Sequence, residues 1–96
     1  MAQVIWTEAA RSDLIGISDY LEGYSTFFAV TTIARFFERT DQLISFPKMG
    51  HTIPEINLPE FRELLGKNYR IMYELLDADI ILIQRVIHQS QNFRPG

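Results

Sequence analysis

Three arginines and one histidine in the C-terminal half of the chain have types and spacings that could support chemistry on an anion. Arg62 and Arg70 fall within the stretch FRELLGKNYRIMYEL, Arg85 lies in the next apolar run, and His88 ends that run. Guanidinium groups hold phosphate and stabilise developing negative charge, and a histidine can transfer protons near neutral pH. If neighbouring strands carry these side chains, one patch could hold all four as an anion-binding or acid–base surface.

An ordinary structural role is the competing explanation for each of these side chains. Arginines on the solvated face of a sheet are common, and cross-strand carboxylates such as Glu63 or Glu74 can pair with them. For Arg62 and Arg85 this explanation is favoured over catalysis. For Arg70 the two explanations are balanced, because a charge is less expected in the middle of an apolar strand.

The sequence offers little for a metal or a cofactor. Its two histidines, His51 and His88, lie far apart, it contains no cysteine, and no carboxylate stands at ligand spacing. It also lacks the GxGxxG, Walker and GxSxG patterns of nucleotide binding and nucleophilic catalysis. We therefore expect neither a bound metal nor a cofactor, and a histidine at the end of a strand is more often structural than catalytic.

Length and charge narrow the class of protein. The 96 residues suffice for one domain, 1–96, with a single modest core, and no apolar run reaches the roughly 18 residues of a membrane helix. No signal peptide is recognisable, so we expect a cytoplasmic protein without membrane contact. A formal net charge of −3 disfavours broad nucleic-acid binding, which depends on a basic excess. Any contact with RNA would have to use a small local cluster.

Apolar periodicity predicts two helices joined by a short link. Thr7 is a suitable N-cap for the first helix, which Gly23 ends. Ser25 or Thr26 can cap the second, and Pro47 forbids its continuation. The predicted inner positions are Ala10, Leu14, Ile17 and Leu21 in the first helix, and Ala29, Val30, Ile33, Phe36, Phe37, Leu43 and Ile44 in the second.

Four β-type runs complete the pattern. Gln3–Trp6 precedes the helices, and Phe61–Leu65, residues 69–76 and Ile80–His88 follow them, separated by tight turns rich in Gly, Asn and Asp. Residues 48–59 contain one glycine and two prolines and are predicted to form an ordered loop. The last run is apolar on both faces, which suggests a central strand. The predicted fold class is α+β with the order β-α-α-β-β-β, an antiparallel sheet with a helical hairpin packed on one face.

The aromatic side chains are assigned to the core of this fold. Trp6, Tyr20 and the seven phenylalanines are large apolar groups that the sheet and hairpin would bury between them. The polar tail, residues 89–96, is expected to be frayed, as chain ends commonly are.

Four segments together resemble a known family. In chain order they read VIWTEAARSDLIGISDYL, LISFPKMGHTIPEI, FRELLGKNYRIMYEL and ILIQRVIHQS. Their most specific parts are W-T-x-x-A-x-x-D-L, P-x-x-G-x-x-[IV]-P-E, R-E-L-x-x-x-x-Y-R-I-x-Y and the closing V-I-H. Over nearly the whole chain the pattern resembles the ParE/RelE superfamily of bacterial type II toxin–antitoxin toxins. The resemblance implies a helical hairpin on a sheet and a hetero-oligomer with an antitoxin, which is expected to dock in the apolar groove between hairpin and sheet.

The resemblance implies two alternative activities. RelE-like members are ribosome-dependent endoribonucleases that cut mRNA, using basic residues on the sheet and a Tyr or His near the C-terminus. On that branch Arg62, Arg70, Arg85 and His88 would form the catalytic set. ParE-like members instead poison DNA gyrase and need no catalytic set, so the chain would not be an enzyme. A third alternative is an inactive homologue that only binds antitoxin.

The C-terminal residues favour the ParE-like branch. Many relatives close with His followed by one or two arginines, whereas here Gln89 follows His88 and Arg94 comes only later. Phe93 stands after the last strand where a nuclease of this kind would use Tyr, and a phenylalanine cannot transfer a proton. The acidic net charge also suits ribosomal RNA poorly. We therefore expect a gyrase poison whose partners are gyrase and an antitoxin, with the ribosome and mRNA as the alternative targets.

Overall fold

The computed structural model describes residues 2–91 and 93–95; Met1, Asn92 and Gly96, which the predicted domain includes, lie outside the described residues. Within those residues the chain forms two α-helices, one short 3-10 helix and five strands. They are β1 (Gln3–Trp6), α1 (Glu8–Glu22), α2 (Thr26–Asp41) with the 3-10 helix Gln42–Ile44 after it, β2 (His51–Thr52), β3 (Phe61–Leu65), β4 (Tyr69–Leu75) and β5 (Ile80–His88).

Both helices begin at the caps that the sequence indicates. Thr7 Oγ1 accepts a hydrogen bond from the N–H of Ala10 at 3.2 Å, and Ser25 Oγ accepts one from the N–H of Phe28 at 3.2 Å. The Thr7 hydroxyl also donates to the carbonyl of Ile83 at 2.8 Å, so this cap ties the start of α1 to the sheet. Neither helix in the described part of the chain has both the length and the apolar character needed to span a membrane.

The α+β architecture is as predicted, but the sheet is mixed rather than wholly antiparallel. Its strand order is β1-β5-β4-β3-β2, and β1 pairs with β5 in parallel while the other neighbours are antiparallel. Parallel pairing is possible because both helices and three strands separate β1 from β5 along the chain. β5 lies inside the sheet, as its two apolar faces suggest. The predicted loop contains the short edge strand β2, whose two residues are too few for a period-2 pattern to reveal.

The two faces of the sheet are covered by different parts of the chain. The helical hairpin covers one, the helix face, over a core formed by Ala10, Leu14, Phe36, Leu43, Leu64, Ile71, Tyr73, Ile81, Ile83 and Val86. The opposite, loop face carries a smaller cluster in which Ile53, Met72 and Ile87 are buried. Phe93 packs against this second cluster, so the expectation of a frayed tail is wrong at that residue.

The assignment of aromatic residues to the core is only partly right. Phe36 is buried, and Trp6, Phe61 and Phe93 pack against the buried clusters, but Tyr20, Phe27, Phe28, Phe37 and Phe46 are exposed. Of the seven phenylalanines, all of which lie in the described residues, Phe36 alone is buried. Phe27 is 78% exposed, Tyr24 71% and Tyr20 64%; Phe28, Val30, Phe37 and Phe46 are exposed as well. The helices are apolar on more than one side, so a 3.6-residue period fits more than one inner stripe. The hairpin therefore presents a wide apolar surface to solvent.

Candidate functional site

The strand register separates the arginines that the sequence groups together. Arg62 lies opposite Tyr73, whose side chain belongs to the helix-face core. Arg70 lies opposite Ile87, which belongs to the loop-face cluster. Because directly opposed residues project from the same face of a sheet, the two arginines lie on opposite faces. The single four-residue patch suggested by the sequence is therefore not formed.

Arg62 is hydrogen-bonded to backbone carbonyls of the loop between the helices and the sheet. Its Nε donates to the carbonyl of Pro59 at 2.9 Å, and one terminal nitrogen donates to Gly50 at 2.9 Å and to Lys48 at 3.4 Å. These acceptors lie near the two ends of the loop, residues 48–59. The guanidinium thus holds the loop closed against β3.

Arg70 lies at the centre of a charged network on the loop face. Its Nε donates to Glu63 at 2.6 Å, and its two terminal nitrogens donate to both oxygens of Glu55 at 2.8 and 2.7 Å. The second oxygen of Glu63 contacts His51 Nε2 at 2.6 Å. Hydrogen bonding from Arg70 lowers the pKa of Glu55 to about 2, and the bonds to Glu55 and then to Glu63 raise the pKa of Arg70. Glu63, one of the two carboxylates that the sequence offered as cross-strand partners, thus pairs with Arg70.

Tyr73 completes the attachment of the loop. Its buried hydroxyl donates to the carbonyl of Pro47 at 2.8 Å and accepts from the N–H of Gly50 at 3.0 Å. Burial raises the pKa of this phenol, which favours the neutral, hydrogen-bonding form. The P-x-x-G-x-x-I-P-E and R-E-L-x-x-x-x-Y-R-I-x-Y motifs are therefore two sides of one contact network between loop and sheet.

Arg85 joins β5 to α1. Its Nε and one terminal nitrogen donate to the two oxygens of Asp13 at 2.8 and 3.1 Å, and Asp13 also accepts from the N–H of Val86 at 2.9 Å. The hydrogen bond to Asp13 raises the pKa of Arg85. A register shift between β4 and β5 leaves Gln84 without an opposite residue, next to Arg85. The Arg85 side chain is half-exposed, but its guanidinium is paired with the carboxylate of Asp13.

A groove of about 800 Å³ lies between α1, the start of α2 and the ends of β4 and β5; we call it the hairpin groove. Its apolar wall includes the aromatic side chains of Tyr20, Tyr24, Phe28 and Tyr69, and its polar lining consists of Ser12, Asp13, Asn68, Arg85, His88, Ser90 and Gln91. The groove has the position expected for the antitoxin-binding surface. The sequence could not identify its aromatic wall, because these side chains resemble core residues in type and spacing.

His88 lies at the sheet end of the hairpin groove. Its ring stands edge-on to Tyr69, with centroids 5.4 Å apart, and its Nδ1 lies 2.6 Å from the hydroxyl of Ser90. Burial raises the pKa of Tyr69, so its phenol stays protonated near neutral pH. Among the described residues that line the groove, Arg85 is the only Lys or Arg. The groove therefore combines proton-transferring groups with a guanidinium that is already paired.

Two tyrosines form an exposed pair at the hairpin end of the groove. The hydroxyls of Tyr20 and Tyr24 lie 3.1 Å apart, and their rings meet at 65° with centroids 5.5 Å apart. The hydrogen bond between the two hydroxyls raises the pKa of Tyr20. The pair presents two largely open aromatic faces beside the groove.

A second cleft, of about 810 Å³, lies near the turn between β4 and β5. Its lining is mostly apolar and consists of Ser45, Phe46, Pro47, Lys48, Met49, Leu75, Asp77 and Ala78. Within residues 2–91 and 93–95, no group of three His, Cys, Asp or Glu side chains is arranged to hold a metal ion. The hairpin groove adds Asp13, Tyr69, Arg85 and His88 to an aromatic wall, a richer set of polar and titratable groups than this cleft has, and is the better candidate for function.

Comparison with known proteins gives a consistent result. The sequence model of a family described as "ParE toxin of type II toxin-antitoxin system, parDE" matches residues 4–93. The protein named Toxin RelE2 from Caulobacter vibrioides is 32% identical over 92 residues, which cover 95% of this chain and 99% of that one. The fold is similar to a solved structure described as "Chromosomal ParDE TA system from P. aeruginosa", with a TM-score of 0.74 and 23% identity over 92% of this chain and 96% of that one.

Proposed function

Because the chain belongs to the ParE toxin family of type II toxin–antitoxin systems, we propose that it inhibits bacterial growth by poisoning DNA gyrase in the cytoplasm and that a cognate antitoxin neutralises it. On this proposal the toxin acts by binding a protein rather than by cutting RNA. The observation that supports this choice is that all three candidate arginines are hydrogen-bonded to groups of the chain itself.

A nuclease of the RelE type needs guanidinium groups that can reach a phosphate. Here Arg62 is bonded to backbone carbonyls, Arg70 to two carboxylates and Arg85 to one. Charge-assisted and bidentate hydrogen bonds of this kind are the strong ones, so freeing the buried Arg70 for RNA would be costly. Freeing the half-exposed Arg85 from Asp13 would cost about 1 kcal/mol, and Arg62 would have to leave its backbone acceptors. Together with the net charge of −3, this supports a protein target.

The hairpin groove supports the second half of the proposal, neutralisation by an antitoxin. It is concave, it has an aromatic wall, and the exposed Tyr20, Tyr24 and Phe28 border it. Aromatic side chains of this kind commonly dominate the energetics of protein interfaces. We propose that the antitoxin fills this groove and forms a hetero-oligomer with the toxin.

One observation favours the nuclease as a second candidate. His88 and Tyr69 are in contact at the end of the same groove, and both side chain types can take part in proton transfer. On this alternative Asp13 would have to release Arg85 so that the guanidinium could hold a phosphate. The target would then be mRNA on the ribosome.

The experiment is controlled expression of the chain in a bacterial host, followed over the first minutes of growth arrest. The gyrase proposal expects SOS induction, loss of supercoiling and accumulation of cleaved DNA with purified gyrase, all reversed by the cognate antitoxin. Translation arrest with codon-phased mRNA cleavage would overturn the gyrase proposal and support the nuclease alternative. A folded chain that causes no growth defect would overturn both and indicate an inactive homologue.

A further inference from the structure

β1 is an edge strand whose outer hydrogen-bonding groups face solvent. It pairs with β5 on one side, and it is the last strand of the sheet on the other. The N–H groups of Gln3 and Thr7 donate to carbonyls on the β5 side. Backbone groups alternate in direction along a strand, so those of Val4 and Trp6 point away from the sheet. In the part of the chain that the structure describes, they have no backbone partner.

Nothing in the sequence of this edge prevents another strand from pairing with it. Exposed sheet edges are commonly protected by charged residues, prolines or bulges. Residues 1–7 contain neither a charge nor a proline, β1 pairs with β5 in an unbroken register, and Ile5 in its middle is exposed. The opposite edge is different, because β2 has only 2 residues and Arg39 donates to the carbonyl of Leu65 in β3 at 3.3 Å. The chain therefore protects one edge of its sheet and leaves the other open.

The residues of β1 are complementary to a second copy of the same strand. If two β1 strands run antiparallel about a two-fold axis through Ile5, Val4 of each copy lies opposite Trp6 of the other. These are the residues whose backbone groups point outward, so each such pair exchanges both of its N–H···O=C bonds. Ile5 then faces its own counterpart in a non-hydrogen-bonded pair, where side chains approach most closely. Gln3 lies opposite Thr7, so polar side chains meet polar ones and apolar side chains meet apolar ones.

An exposed aromatic side chain adds apolar surface beside this edge. Phe37 of α2 is exposed, and its ring contacts that of Trp6 with centroids 5.1 Å apart. A two-fold axis between antiparallel strands is perpendicular to the sheet, so both helical hairpins lie on the same side of the joined sheet. The seam between the copies thus has Ile5 on the loop face, and Trp6 with Phe37 beside it on the helix face.

We propose that β1 binds β1 of a second copy of this chain in this register, giving a symmetric dimer with one continuous sheet across both copies. A strand of another protein would find the same outward backbone groups but not the matched side chains. Two strands of 4 residues form a small interface beside the roughly 1,200 Å² or more that stable complexes bury. The dimer should therefore dissociate on dilution to about micromolar concentration. The inference concerns assembly and does not rest on the proposed function.

The test uses the full chain, made by cell-free synthesis. Sedimentation equilibrium between about 1 and 300 µM should show the mass rising from that of the monomer towards twice that value. Ile5→Lys should weaken association at least about tenfold, because like charges directly opposite each other destabilise a strand pair. Ile15→Lys makes the same change at an exposed position of α1 and should leave the dissociation constant within about twofold. Melting temperatures within about 3 °C of the natural chain show that both variants are folded.

Two further experiments test the register. Mixing Ile5→Lys with Ile5→Glu should restore association, because opposite charges then face each other across the axis. Ile5→Cys should give a disulfide-linked dimer with oxidised glutathione, since the Cα atoms of a non-hydrogen-bonded pair lie about 4.5 Å apart, within the range of a disulfide. The natural chain has no cysteine that could interfere. Gln3→Cys is the matched control and should not cross-link, because the two copies of this residue are about 13 Å or more apart in the same register.

Each outcome decides for or against the inference. A monomer at every concentration overturns it, as does association that Ile5→Lys and Ile15→Lys weaken equally or not at all, because the contact would then use another surface. Cross-linking of Gln3→Cys as fast as that of Ile5→Cys overturns the register. Growth arrest plays no part in these readouts. A chain that forms the dimer but does not arrest growth would overturn the proposed toxin activity while the inference stands, and a monomeric chain that arrests growth would do the reverse.

Discussion

Arg70 donates from its Nε to Oε1 of Glu63 across 2.6 Å, within the sheet. The two residues are 9% and 3% exposed, so neither charge is well hydrated. A carboxylate at this depth needs a partner, because an uncompensated buried charge costs several kcal/mol. The same guanidinium reaches Glu55 in the loop, so one ion pair fixes both the interior of the sheet and the segment that covers its loop face.

The first prediction concerns removal of that guanidinium. Arg70→Met keeps much of the side-chain volume but removes the guanidinium from the buried Glu63, which retains its contact with His51. We expect the free energy of unfolding, measured by urea denaturation, to fall by about 3 kcal/mol. Arg94→Met, at an exposed position near the C-terminus, is the control and should change it by less than about 0.5 kcal/mol.

The same variant distinguishes a structural arginine from a functional one. Arg70→Met should reduce growth inhibition only to the extent that it reduces the amount of folded protein. Because it destabilises the fold more than Arg94→Met does, its loss of growth inhibition should be the larger of the two. A variant that keeps its full unfolding free energy but no longer arrests growth would instead assign Arg70 a direct role.

A pH dependence follows from the Glu55 contact. Pairing with Arg70 depresses the pKa of Glu55 from an ordinary 4.5 to about 2, so between these values the unfolded chain binds more protons than the folded one. The stabilisation is therefore complete above pH 4.5 and is lost as pH falls through about 2. Because Glu55 is 32% exposed, screening reduces it to the order of 1 kcal/mol. The difference in unfolding free energy between the natural chain and Glu55→Gln should shrink from pH 5 towards pH 2; a constant difference would contradict the assignment.

The sequence predicts the fold well wherever local patterns suffice. Helix caps at Thr7 and Ser25 and the alternation in β3 and β4 depend on neighbouring residues, and both appear as expected. In β5 the register shift beside Gln84 reverses the simple alternation, so Ile83 lies in the helix-face core and Ile87 in the loop-face cluster. The direction of β1 is different, because a four-residue edge strand has the same local pattern whether it pairs in parallel or antiparallel. The two-residue strand at His51 likewise depends on its partner β3 rather than on its own composition.

The functional surface was less predictable than the fold. Arg62 and Arg70 stand out in the sequence because they interrupt apolar strands, yet a buried structural ion pair and a catalytic pair produce the same interruption. Conversely, Tyr20 and Phe28 are assigned to the core by sequence, because the apolar character of a side chain does not show whether it is exposed. The glycine within α1 was an available signal, because Gly16 lines the groove.

The Asp13–Arg85 pair should contribute to stability rather than to catalysis. Asp13→Asn, Arg85→Gln and the double variant form a double-mutant cycle. We expect a coupling energy of about 1 kcal/mol in urea denaturation, since Arg85 is half-exposed and solvent screens the pair. Arg85→Gln should still arrest growth. Loss of growth arrest in a stably folded Arg85→Gln chain would favour the nuclease alternative.

His88 gives a direct discrimination between the two activities. On the gyrase proposal, His88→Gln should arrest growth within about twofold of the natural chain, with a melting temperature within about 2 °C. On the nuclease alternative, removal of the general acid or base should reduce mRNA cleavage by about 10²–10⁴-fold. The measurement is mRNA cleavage and growth arrest at matched levels of folded protein, and a large loss of both would overturn the gyrase proposal.

Gly50 and Gly16 should respond in opposite directions to the same substitution. A Cβ at Gly50 would lie 2.6 Å from the carbonyl oxygen of Glu63 and 2.7 Å from the hydroxyl of Tyr73. Both neighbours are buried and hydrogen-bonded, so they cannot move aside without breaking the network that holds the loop. We expect Gly50→Ala to lower the free energy of unfolding by about 3 kcal/mol, whereas Gly16→Ala, which meets open space, should raise it by about 0.5–1 kcal/mol. Urea denaturation of the two variants side by side tests this, and equal shifts would contradict the close packing of the loop against β3 and β4.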